Sequence, residues 1–214
     1  YPVMKSNHSF DLLSCFPASA EPGKAFTSVT YSNLYFREPE SRADQTRMMS
    51  IVTTGAETGY YVDVFRSRKE KGGDKMHDYF YHNLGQTLTL TAADGSDLNL
   101  QPTEELAFAG AHLYAYSYLY DKKVAATNKD VKATFTIDMK DKDGDDIYMN
   151  LWMKGEPDRE IFTALAPMTE GLSRTPNMPY NIKEQPTLTF VARQHGEAWN
   201  RPFVSIYEPS TKKE

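Results

Sequence analysis

Hydrophobic and polar residues alternate with a period of two along most of this chain. Thr87 to Thr91, Thr-Leu-Thr-Leu-Thr, is the cleanest instance. Successive side chains of a strand point to opposite faces, so this alternation marks a half-buried β-strand. The same pattern predicts strands at Ala25 to Arg37, Thr46 to Thr54, Tyr60 to Arg66, His77 to His82 and His112 to Tyr120. It continues through Val131 to Lys140, Ile147 to Lys154, Glu160 to Ala166, Thr187 to Arg193 and Phe203 to Glu208. Hardly a segment has helical period. About ten short strands at regular spacing predict an all-β fold, an antiparallel two-sheet β-sandwich.

Turn residues punctuate the pattern. Gly72-Gly73, inside the charged stretch Lys69 to Lys75, can supply the positive φ of a tight reversal, so Tyr60 to Arg66 and His77 to His82 are expected to form a β-hairpin. Residues 1–24 form an irregular lead-in broken by Pro2, Pro17 and Pro22. The longest expected loop runs from Met168 to Gln185. With no internal repeat or low-complexity segment, residues 1–214 are expected to form a single β-sandwich domain.

Composition narrows the partners. A formal charge of -5 over 214 residues argues against nucleic acid, because phosphate binding needs a concentrated positive face. For the same reason, contact with an anionic glycan should be local. No apolar run is long enough to span a membrane. The single cysteine, Cys15, cannot form an internal disulfide, and no base stands near it in sequence beyond His8. Fourteen tyrosines fit a sheet protein with many half-exposed strand positions.

One segment is distinctive. Val62-Asp63-Val64-Phe65-Arg66, then Gly72-Gly73, then His77-Asp78-Tyr79 and His82 resemble a signature in the C-terminal part of heparinase II/III-like polysaccharide lyases. Phe203-Val204-Ser205-Ile206-Tyr207-Glu208-Pro209 resembles that family's closing strand. Arg47-Met48-Met49-Ser50-Ile51-Val52 is similar to an arginine strand that precedes the hairpin. The three follow the family's order and cover roughly residues 45 to 210.

The resemblance implies a bacterial parent enzyme, periplasmic or secreted, with an N-terminal α/α toroid followed by β-sheet layers. It implies β-elimination on an anionic, uronic-acid polysaccharide, with an Asn or His neutralising the carboxylate and a Tyr/His pair as acid and base. It also implies zinc-binding histidines in an early β region of the parent. None of those motifs, and no helical repeat, has a counterpart in this chain. The chain therefore resembles the C-terminal β-sandwich of such a lyase, with the catalytic toroid as its partner and no catalytic residue of its own. A carbohydrate-binding β-sandwich that works independently is the alternative.

Candidate site residues follow. His77, Asp78 and His82 could ligate metal, but strand geometry puts Asp78 and His82 on one face and His77 on the other. Structural zinc wants about four ligands, so zinc is left to the parent, and His77, Asp78, His82, Arg66 and Asp63 are expected to serve at the substrate cleft or at the interface with the toroid. Asp63 and Arg66 face opposite sides of their strand, and a buried Asp–Arg or Asp–His pair across the hairpin is expected. Asp141, Asp143 and Asp145 resemble the opening of a calcium loop. That loop needs glycine at its sixth position and Glu at its twelfth, where this chain has Asp146 and Trp152. A solvated turn is expected there and calcium is not. Trp152 and Trp199 are candidates for stacking on sugar, against core or interface burial.

Overall fold

Two antiparallel sheets pack face to face in the computed structural model, which describes residues 9–17, 28–39, 41–107, 111–139, 144–169 and 184–211. For residues 111–114 only the backbone is described. The strands are β1 (Asp11–Phe16), β2 (Val29–Arg37), β3 (Asp44–Thr53), β4 (Gly59–Arg68), β5 (Met76–Asn83), β6 (Thr87–Ala92) and β7 (Gln101–Pro102). After a 3-10 helix (Ala111–Tyr118) come β8 (Tyr120–Ala126), β9 (Val131–Ile137), β10 (Ile147–Met153), β11 (Arg159–Ala166), β12 (Thr187–His195) and β13 (Ala198–Ser210). The larger sheet has the order β1-β2-β3-β4-β13-β10-β9-β6, and the smaller β5-β12-β11-β8-β7. The fold is the expected antiparallel β-sandwich.

The core between the sheets holds Tyr79, Phe135, Leu151, Ile161, Phe190 and Phe203, all buried. A second cluster lies on the opposite face of the smaller sheet, where Leu106 and Leu119 cover Phe162, Ala164 and Val191. β12 is thus buried on both faces, which explains its mostly apolar run Leu188-Thr189-Phe190-Val191-Ala192, without strict alternation. Truncating Phe162 or Phe190 to alanine would cost about 3–5 kcal/mol.

Three expectations need correction. The segments taken as a hairpin belong to different sheets: β4 pairs with β3 and β13, and β5 pairs with β12. With both edges of β4 occupied, the chain has to cross to the other layer. Gly72 and Gly73, at φ 90° and 72°, turn the crossing rather than a hairpin. Second, the stretch beginning at His112 is a 3-10 helix rather than a strand. Its tyrosines mimic period two, whereas Tyr116 and Leu119, three apart, are the residues that pack on the sheet. Third, the irregular lead-in contains β1, a largely exposed edge strand with no buried residue to betray it. Most of the expected loop from Met168 to Gln185 lies outside the described residues.

Two local features fit the chain to this topology. Gly85 has φ +145°, and a Cβ there would lie 2.6 Å from the Thr136 carbonyl oxygen, so only glycine fits where the chain re-enters the larger sheet. In β13, pairing with β4 is interrupted between Ala198 and Phe203. Pro202 sits in that gap, where its missing N–H breaks no ladder bond.

Candidate functional site

β4 and β5 carry the candidate residues, and the sheet geometry sends them to separate places. Asp63, fully buried on β4, points into the sandwich. Arg47 of the neighbouring β3 grips it, Nε to Oδ1 at 3.0 Å and Nη2 to Oδ2 at 2.5 Å. From the facing sheet, the Tyr79 hydroxyl donates to Asp63 Oδ2 at 2.7 Å. Tyr207 of β13 closes the set with a hydroxyl–hydroxyl contact to Tyr79. A phenol has one proton. Tyr79 directs it to the carboxylate, so Tyr207 is the donor to Tyr79.

These four residues come from the three segments that resemble the lyase family. Arg47 belongs to the arginine strand, Asp63 and Tyr79 to the distinctive segment, and Tyr207 to the closing strand. Asp63 is thus paired with an arginine, but with the half-exposed Arg47 of the adjacent strand β3 and not with a residue across the expected hairpin. Arg66 instead donates to the Trp199 carbonyl.

Asp78 sits on the outer face of the smaller sheet. The Arg193 guanidinium grips it through Nε and Nη2, both at 2.8 Å, and the Tyr116 hydroxyl donates to Asp78 Oδ2 at 2.7 Å. Arg193 Nη1 also reaches Glu105 Oε2 at 3.1 Å, and its guanidinium lies over the Phe162 ring. The hydrogen bonds that Arg193 donates to the Asp78 carboxylate hold its pKa above the ordinary value. This cluster pins the segment that contains the 3-10 helix onto the sheet.

The histidines are divided as strand geometry predicts. His77 Nε2 meets Asp74 at 2.6 Å, and Asp74 also accepts the Lys69 backbone N–H, so His77 helps to fasten the crossing between sheets. His82 lies at the wall of an apolar cavity of about 750 Å³ lined by Phe80, Tyr116, Leu119, Ala166 and Met168. Its Nδ1 is 2.8 Å from Thr189 Oγ1, its ring stacks on Phe80, and desolvation lowers its pKa. No group of three His, Cys, Asp or Glu side chains fit to hold a metal occurs among the described residues. The zinc that the family resemblance implies therefore finds no fitting donor set in them. Asp141 and Asp143 lie outside the described residues, and Asp145 is exposed.

The tryptophans do not make a common platform. Lys132 Nζ lies 4.5 Å from the centre of the Trp152 ring, and the Arg68 guanidinium 4.2 Å from that of Trp199. Trp152 pairs with Ile206, far along β13 from Trp199.

The electrostatics run against acid–base catalysis by the tyrosines. Burial, reinforced by neighbouring Asp63 or Tyr79, raises the phenols of Tyr79 and Tyr207 well above the usual value. Burial and Asp78 do the same to Tyr116. A general base needs its pKa near the working pH, and these hydroxyls stay protonated. Sequence reasoning also missed Arg159, which is buried at the end of the core. It donates to Gln194 Oε1 at 3.0 Å and the Lys154 carbonyl at 2.7 Å, and lies over Phe203. Burial lowers its pKa to about 10.

Comparison with known proteins supplies what the geometry alone does not. No family model matches the chain. A curated protein does, over 85% of the chain. The chain is homologous to an endo-acting ulvan lyase. That lyase, from Formosa agariphila, is 33% identical over 186 residues, which are 85% of this chain and 21% of the lyase. The chain thus spans about one fifth of the length of the ulvan lyase it matches. No helix among the described residues is long and apolar enough to cross a membrane.

Proposed function

We propose that this chain is the C-terminal β-sandwich of a larger, heparinase II/III-like polysaccharide lyase, periplasmic or secreted, and that it buttresses the catalytic toroid. The observation that carries this reading is the match to an ulvan lyase over 85% of this chain and only 21% of that enzyme. The site geometry supports it. The residues that carry the family resemblance converge on Asp63 and join one sheet to the other. Asp78 is engaged with Arg193 and Tyr116.

In this reading the parent enzyme acts on an anionic, uronic-acid polysaccharide. A base abstracts the proton α to the uronate carboxylate and the C–O bond to the 4-linked sugar breaks, leaving an unsaturated uronate. This chain supplies neither base nor acid. A sugar-binding module that acts alone is less well supported, because a cation sits over each tryptophan ring.

Substitution in the parent enzyme tests the assignment. Asp63→Ala and Asp78→Ala should lower its melting temperature while kcat and KM, measured below that temperature, stay within about twofold. A kcat loss of about a hundredfold or more in a variant that melts normally would place catalysis in this chain.

A further inference from the structure

The two sheets are unequal. The smaller one ends at β5, whose outer edge pairs with no strand among the described residues. Tyr79 places β5 over β4 and β13. Beyond it, β3, β2 and β1 continue the larger sheet by about 14 Å with no described layer opposite.

Register identifies the side chains on this overhang. Asp63 and Phe65 point into the sandwich. Their partners on β3 are Met49 and Arg47, and Ile51 pairs with Tyr61 on the same face. Arg47 is opposite Leu34 of β2, and Leu34 is opposite Leu12 of β1. Leu12 is 58% exposed, Met49 and Ile51 49% each, and Tyr61 40%. The result is a step with a largely apolar floor, Arg47, Ser32 and Thr30 apart, and a wall made by the backbone edge of β5 that pairs with no strand among the described residues.

We propose that the neighbouring part of the parent polypeptide fills this step with β-strand, pairing with the free edge of β5 and laying alternate apolar side chains on Leu12, Met49, Ile51 and Tyr61. The proposal rests on the reading of the chain as part of a larger lyase, whose ulvan lyase relative has about four-fifths of its length outside the matched region. Floor and wall together select a strand. A helix could cover the floor, but it would shut the outward N–H and C=O groups of β5 away from water without partners, which folded proteins avoid. A strand satisfies both surfaces at once.

Hydrogen exchange in the parent enzyme and in this chain tests the proposal. The β5 amides that do not bond to β12 should exchange about a hundredfold more slowly in the parent. Ile51→Lys should leave the melting temperature of the isolated chain unchanged and abolish most of that added protection in the parent. Equal exchange in chain and parent, with the parent an active lyase, overturns the strand proposal and leaves the lyase reading standing. A parent without lyase activity overturns that reading instead. If the isolated chain sediments as a dimer that Ile51→Lys dissociates, a second copy takes the surface and the proposal is wrong.

Discussion

The Tyr79 hydroxyl donates to the Asp63 carboxylate at 2.7 Å across the interface between the two sheets. These residues flank the Gly72-Gly73 crossing, so one short stretch of chain forms a turn and then bonds its two ends together between layers. Arg47 supplies the charge that makes a buried carboxylate tolerable. Removing it by Arg47→Ala should cost about 3 kcal/mol, whereas Tyr79→Phe, which loses one neutral donor, should cost about 1 kcal/mol. Urea unfolding monitored by tryptophan fluorescence measures both. Equal costs for the two variants would show that the Asp63 carboxylate does not depend on the Arg47 charge more than on a single neutral hydrogen bond.

Asp78 and Arg193 form the corresponding pair on the outer face, each side chain 9% exposed. Asp78→Ala should cost about 3 kcal/mol because the Arg193 guanidinium loses its bidentate partner. The double variant Asp78→Ala/Arg193→Met should cost clearly less than the sum of the single changes. A double-mutant cycle gives the coupling, and additive costs would contradict the pairing. Tyr116→Phe should cost about 1 kcal/mol and speed amide exchange in the 3-10 helix.

His82 should make stability depend on pH. Desolvation holds its folded pKa below the unfolded value of about 6.5, so the unfolded chain binds the proton first as the solution is acidified. Stability associated with the neutral ring is present above that unfolded value and is lost as pH falls through the folded one. His82→Gln should flatten the stability profile between about pH 7 and about pH 5 relative to the unsubstituted chain. Identical slopes for both proteins, from urea midpoints across that range, would remove His82 as the cause.

Most strands could be read from alternation because one face of each is buried. Layer assignment could not, since a turn rich in glycine serves a hairpin and a crossing equally well. What decides is the occupancy of both β4 edges, one of them by β13, which lies about 140 residues later in the chain. The 3-10 helix was hidden by evenly spaced tyrosines, and β1 by its exposure. Asp63, Asp78 and the histidines were visible as polar residues inside apolar strands. Their partners Arg47, Arg193 and Tyr207 lie on other strands, and nothing local marks them as partners. The segments of family resemblance nonetheless contain Arg47, Asp63, Tyr79 and Tyr207, the residues that bond one layer to the other around the inner carboxylate.

The most direct test of this chain as a non-catalytic part of a lyase is the absorbance of unsaturated uronate released from ulvan and other uronic-acid polysaccharides. The chain alone is assayed beside the parent enzyme at equal molarity. Product from the parent, and none above background from the chain, is the expected result. Steady, enzyme-dependent release by the chain alone would contradict it.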